Sequence, residues 1–143
     1  MTICVDASLV LKLYLPEPDS ELAEQLWERW GAAAEDVRAP TLIDYEIASV
    51  LRLQAHRGGM SPSEAAERFA DYVALPIRKE HDGSLAARGL EIATILGQPR
   101  AYDSTYLALA ERLDAPLWTA DRRLWNTAAL RFPRVQLLGS LLQ

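Results

Sequence analysis

TICVDASLVLKLYLPEPDS, residues 2–20, decides the fold. It opens with an apolar run too short for a helix, closed by Asp6, and passes directly into helical periodicity that Pro16 and Pro18 stop. A short apolar run bounded in this way reads as a strand buried on both faces. PLWTADRRLWNTAAL, residues 116–130, repeats the arrangement: an apolar run, Asp121, then a helix. Strands that hand over to helices along a chain specify a parallel sheet with helices on both faces.

Working outward, residues 2–6 form the first expected strand and SLVLKLYL a short helix, followed by a second helix near 20–33. Residues 37–39 are a short second strand. Pro40 suits a helix start, and a long helix runs from there to about Arg57, where Gly58 and Gly59 end it. Ser61, Pro62 and Glu64 make a capping box for a helix reaching Val73. LPIR, residues 75–78, is the third expected strand, and helices follow at 83–96 and 103–113. Residues 116–120 are the fourth strand, 122–130 the last helix and 135–138 a final strand. The expectation is one unit, residues 1–143, of three-layer α/β/α architecture with a parallel sheet of four or five strands.

Composition narrows the function. A chain of 143 residues that is 50% hydrophobic buries a core without disulfides. A single cysteine, Cys4, excludes an internal disulfide framework and a cysteine-based zinc site. The first residues do not read as a signal peptide, because Asp6 and Lys12 interrupt the apolar stretch. No run reaches the roughly 18 apolar residues of a membrane span. A cytoplasmic location is expected. The net charge of -5 argues against a stable nucleic-acid binder. If four of the 20 acids hold metal, however, 16 face 15 bases and the site becomes locally positive.

Glu46 is the most informative position. At helical spacing it shares a face with Leu42, Ile43, Ser49, Val50 and Leu53. A carboxylate in such a stripe needs a cation, a proton or a cleft; a rotated helix with Glu46 at its solvent edge fits equally. Asp6, Asp103 and Asp121 stand at helix starts, where an aspartate also serves as an N-cap. Together they weigh differently. Active sites of open parallel sheets lie beyond the carboxyl ends of the strands, and all four acids can reach that edge. Four carboxylates in one crevice repel unless a hard divalent cation lies among them, and oxygen-only ligands favour magnesium or manganese.

The blocks VDASLVLKLYLPEPDSE, APTLIDYEIASVLRL, YDSTYLALAERLDAPLWTADRRL and VQLL cover nearly the whole chain. In this order and spacing they resemble the PIN-domain ribonucleases of the VapC toxin type. The resemblance implies that Asp6, Glu46, Asp103 and Asp121 form an acidic quartet holding one or two Mg2+ or Mn2+ ions. It implies that Ser8 and Thr119 support it by orienting carboxylates or water. Ser104 and Cys4 depart from the usual residues at their positions without touching the quartet.

The implied activity is endonucleolytic hydrolysis of RNA by activated water, leaving 5′-phosphate and 3′-hydroxyl ends. The implied partners are a VapB-like antitoxin and a second copy of the chain. Leu22, Leu26, Trp27 and Trp30 would offer an apolar groove for an antitoxin helix. Lys12, Arg122 and Arg123 could hold RNA phosphates or lie as solvated surface charges. Trp125 could stack on a base, whereas packing is expected of Trp27, Trp30 and Trp118. His56 and His81 are expected at the surface. Two other classes compete. A magnesium-dependent phosphate-transfer protein would lack the second carboxylate of a phosphatase pair and would leave Glu46 without a role. A silent PIN-like scaffold would not explain why all four acids are present.

Overall fold

The computed structural model describes residues 1–142, with side chains to residue 141; Gln143, the last residue of the expected single unit, lies outside the described residues. Five strands form one sheet: β1 (Thr2–Val5), β2 (Asp36–Pro40), β3 (Arg78–Glu80), β4 (Leu117–Thr119) and β5 (Val135–Leu137). All pairings are parallel, in the order β3-β2-β1-β4-β5. The helices are α1 (Ala7–Leu11), α2 (Ser20–Ala32), α3 (Leu42–His56), α4 (Pro62–Val73), α5 (Gly83–Leu96), α6 (Tyr102–Leu113) and α7 (Arg122–Ala128). A 3-10 turn, Leu138–Leu142, closes the chain. The architecture is the expected three-layer α/β/α sandwich.

β1 lies at the centre, and its Ile3, Cys4 and Val5 are buried, as the apolar run requires. The chain builds outward from β1 to β2 and β3 on one side, then returns to lay β4 and β5 on the other. The strand order therefore reverses between β1 and β4. This switch point opens a crevice beyond the strands' carboxyl ends. No helix among the described residues is long and apolar enough to cross a membrane.

Four local expectations are corrected. The third strand falls at Arg78–Glu80, not at LPIR. Leu75 and Ile77 bond back to Tyr72 and Leu75 in a turn, and pairing begins where Arg78 meets Arg38. β3 is an edge strand, so it tolerates the sequence Arg-Lys-Glu. Arg38 on β2 bonds Glu80 at 2.6 Å and Asp36 at 2.8 Å, and Lys79 pairs with Asp44 at 2.9 Å. Pro40 ends β2 instead of starting a helix. Its missing N–H disturbs nothing, because Thr41 donates the bond to the Glu80 carbonyl at 3.0 Å.

The first helix ends at Leu11, and its apolar continuation to Leu15 runs on as turns. The apolar stripe expected to form a groove along α2 packs largely inward among the described residues. Ala23, Leu26 and Trp30 are buried, Leu22 and Trp27 pack partly against the core, and the exposed positions include Glu21, Glu24 and Glu28. Trp30 meets Trp118 of β4 edge to face with ring centroids 6.1 Å apart, and Trp27 at 5.9 Å. The α2 stripe is thus a sheet-packing face.

Candidate active site

Asp6 follows β1 directly and caps α1, its Oδ1 accepting the Leu9 amide at 3.1 Å. Two hydroxyls complete its shell: Ser8 donates to Oδ1 at 2.7 Å, and Thr119 at the end of β4 donates to Oδ2 at 2.5 Å. With both protons directed at the carboxylate, each hydroxyl still accepts an amide. Ser8 takes that of Ala120 and Thr119 that of Asp121, both at 3.0 Å. This network joins the ends of β1 and β4 across the switch point. Burial pushes the Asp6 carboxyl up to about 6, against the lowering effect of Thr119, Ser8 and the Leu9 amide, and the charge of Asp103 adds to the rise.

Asp121 caps α7, its Oδ1 accepting the amides of Arg123 at 2.9 Å and Leu124 at 3.3 Å. Asp103 behaves differently. α6 begins at Tyr102, one residue earlier than expected, and Ala101 occupies the cap position. Asp103 therefore lies inside the first turn and caps nothing. Burial raises its carboxyl, Asp121 raises it further and Arg123 lowers it.

Glu46 lies in the second turn of α3. The buried line of that helix is Ile43, Ile47 and Leu51. Of the stripe expected around Glu46, only Ile43 belongs to that line, and Leu53 is exposed. Glu46 is on the flank, half-buried, and faces a cleft. There its Oε1 accepts a 2.6 Å hydrogen bond from the hydroxyl of the buried Tyr106. Burial raises the Glu46 carboxyl, the Tyr106 bond opposes that rise, and Asp103 adds to it. Burial and the charge of Glu46 hold the Tyr106 phenol protonated, so it acts as the donor.

Asp6, Ser8, Glu46, Asp103, Tyr106 and Asp121 all line one cavity of about 520 Å3. Glu46, Asp103 and Asp121 also line its neighbour, with Arg100 and Arg123 at the border. None of the four acids forms an ion pair with Lys or Arg among the described residues. Nor do any three acidic, imidazole or thiol groups there come close enough to enclose an ion by themselves. The arrangement is an open acidic wall with a buried anchor, Asp6, and three more accessible members.

The expected phosphate-binding cations divide. Lys12 is paired with Glu17 and, at 2.8 Å, with Asp19, which ties α1 to the start of α2, so it does not stand free over the cleft. Arg122 is exposed and lies against Gly139 of the closing turn. Arg123 borders the acids. Trp125 packs partly against the core, while His56 and His81 are exposed as expected. Sequence reading missed the role of Tyr106, which falls on the apolar face of α6 and reads as a core residue. It also missed Arg100, which precedes that helix without any motif.

The family model for the PIN domain matches residues 3–130. The chain is 31% identical over 134 residues to Ribonuclease VapC3 of Pyrobaculum aerophilum, covering 93% of this chain and 96% of the relative. It is 36% identical over 131 residues to Ribonuclease VapC9 of Mycobacterium tuberculosis, covering 92% and 94%. Its backbone is similar to the crystal structure of PAE2754 from Pyrobaculum aerophilum, with a TM-score of 0.68 at 24% identity over 99% of this chain and 96% of that one. It is also similar to Mycobacterium tuberculosis VapC20, a sarcin-ricin loop cleaving toxin, with a TM-score of 0.65 at 19% identity over 94% and 98%. At these identities the two structures support the fold alone.

Proposed function

Because this chain belongs to the PIN-domain family, and within it to the VapC-type ribonucleases, we propose that its acidic cleft hydrolyses RNA phosphodiesters with one or two magnesium or manganese ions. The observation that carries the reading is the set of four carboxylates on one cavity at the switch point, none of them ion-paired among the described residues. A domain does not gather uncompensated charge there without cost: burial and mutual repulsion raise the carboxyls of Asp6, Glu46 and Asp103.

The donor set fits a hard cation. Asp6, Glu46, Asp103 and Asp121 offer only oxygen, which suits magnesium or manganese. Their open spacing suits an ion that takes one or two carboxylates and keeps water as its remaining ligands. When bound, such an ion supplies the positive charge that lowers the pKa of water and steadies the leaving 3′-oxygen of the RNA.

The protein's own contribution is placement. Ser8 and Thr119 fix both oxygens of Asp6, and Tyr106 fixes Glu46, so these two carboxylates are held before any ligand arrives. Arg123 and Arg100, at the border of the acids, draw the phosphate backbone toward a cleft that would otherwise repel it. Cleavage on this plan leaves 5′-phosphate and 3′-hydroxyl ends. In the cell the chain acts as the toxin of a toxin–antitoxin pair, restrained in the cytoplasm by a VapB-like antitoxin, and it works as a homodimer.

Incubation of antitoxin-free protein with RNA tests the reading. Cleavage is expected with magnesium or manganese, and ligation of the fragments should reveal 5′-phosphates. Full activity in excess EDTA would overturn the metal mechanism.

A further inference from the structure

Beside the acid cleft lies a second cavity of about 690 Å3 whose function the four acids do not explain. The two share a wall: Leu42, Tyr45 and Tyr102 border both. The tyrosines are unusually open for aromatic residues, 73% exposed at Tyr45 and 56% at Tyr102. Neither ring packs against another aromatic and neither hydroxyl makes a hydrogen bond among the described residues. The cavity has an apolar floor at the buried Leu85, and Thr41 and His81 stand at its rim. Arg100 borders this cavity and also the one containing Glu46, Asp103 and Asp121.

We infer that this cavity is a nucleobase subsite for unpaired RNA, with Tyr45 and Tyr102 as stacking surfaces that place the phosphate next to the held base over the acids. The inference rests on the ribonuclease reading and adds to it the place on this chain where a base is held. Three features point to a base. Exposed rings give up contact with solvent cheaply and stack on any base face, whereas the deep, narrow major groove of an RNA duplex admits neither ring. The cavity adjoins the acid cleft along Leu42, Tyr45 and Tyr102, so a base held against these rings keeps its own phosphodiester beside the acids. Arg100 lines both this cavity and the neighbouring one bordered by Glu46, Asp103 and Asp121, and so offers a cation to the phosphate of a base held here. Thr41 Oγ1 and His81 Nδ1 bond each other at 3.3 Å, which leaves the His81 Nε2 to read a base edge and makes the subsite a source of sequence preference as well as affinity.

The test uses the full chain and a fluorescent single-stranded oligoribonucleotide, with a duplex of the same sequence and a strand carrying single abasic positions as comparisons. Binding is read by anisotropy with magnesium in an Asp103→Asn background, so that bound RNA is not consumed, and cleavage is read separately with Asp103 intact. Tyr45→Ala and Tyr102→Ala are each expected to weaken single-strand binding roughly ten-fold and to raise KM while kcat holds. Tyr45→Phe and Tyr102→Phe should retain binding, because the ring and not the hydroxyl makes the stack. An abasic position beside the cut should weaken wild type as much as the alanine variants do, and should weaken those variants no further.

Unchanged KM, binding and base preference in both alanine variants would overturn the subsite and leave the ribonuclease reading intact. Tyrosine-dependent binding in a protein that cleaves nothing would support the subsite and overturn the ribonuclease reading. Absence of both binding and cleavage in the wild-type chain would overturn both. Alanine variants that dissociate to monomers in sedimentation, with base preference intact, would assign the patch to a second copy of the chain and overturn the subsite.

Discussion

The hydroxyl of Tyr106 donates to Oε1 of Glu46 at 2.6 Å, linking helices α6 and α3 across the cleft. A hydrogen bond to a charged acceptor contributes about 1.5–3 kcal/mol, enough to select one placement of a flexible glutamate. Tyr106→Phe keeps the buried ring and removes only that donor. Partners that orient a ligand typically affect metal affinity or activity by roughly 10–100-fold. We expect manganese binding by calorimetry and kcat both to fall within that range, with KM little changed. Wild-type manganese affinity in Tyr106→Phe would show that Glu46 needs no such support. Glu46→Gln should lower cleavage by orders of magnitude with little loss of folding.

The four acids should separate by their second roles. Asp6 and Asp121 cap helices, while Asp103 caps none. Asparagine caps nearly as well as aspartate, and alanine loses about 0.5–2 kcal/mol. Asp6→Asn, Asp103→Asn and Asp121→Asn should each abolish RNA cleavage while the fold persists. In urea melts Asp121→Ala should be less stable than Asp121→Asn, whereas Asp103→Ala and Asp103→Asn should melt alike. A stability gap at position 103 as large as that at 121 would contradict the cap assignment.

The metal-free protein should lose stability as pH rises, and Asp6 should account for a measurable part of the loss. Its carboxyl stands at about 6 in the folded chain against an ordinary 3.8. A proton held more tightly in the folded chain adds stability that is complete below 3.8 and is lost as pH rises through about 6. The amount is on the order of 3 kcal/mol. Asp6→Asn cannot titrate, so in EDTA the wild-type chain should fall behind it between pH 4 and pH 7. Parallel curves for the two proteins would exclude Asp6 as the titrating group. Magnesium should recover part of the loss at neutral pH.

Gly89 sets how closely α5 approaches α6. A Cβ there would meet Thr105 Oγ1 at 2.8 Å and its Cα and backbone nitrogen at 3.2 Å. Thr105 lies between Asp103 and Tyr106 on α6. Gly89→Ala gains about 1 kcal/mol of helix propensity but overpacks the contact at a cost of about 1–3 kcal/mol. We expect a lower melting temperature and a lower kcat, because the helix that moves carries two site residues. Gly31→Ala is the control: it is helical, its Cβ would meet nothing within 4 Å, and it should be stabilising.

Much of this was legible in the sequence because it is local. The apolar runs at 2–5 and 117–119, each followed by an aspartate and a helix, specify buried parallel strands by their hydrophobicity alone. The Ser61–Glu64 cap and the Gly97 stop mark helix ends through backbone chemistry a few residues long. Asp6, Glu46 and Asp121 stood out for the same reason, since each sits at or near a strand-to-helix junction, and Asp103 because it stands at the start of a helix. Tertiary structure decided what depends on partners distant in the chain. β3 is polar because it is an edge strand, which no local pattern announces. Leu26 and Trp30 of the α2 stripe turn to the core, where Trp118 receives Trp30, and Leu22 and Trp27 stay partly exposed. Lys12 is taken by Glu17 and Asp19, and Asp103 is left free because its helix starts one residue early. Tyr106 becomes a positioning group only because α3 brings Glu46 to it, 60 residues away in sequence. Periodicity reports which face of an element is apolar; only packing determines what that face meets.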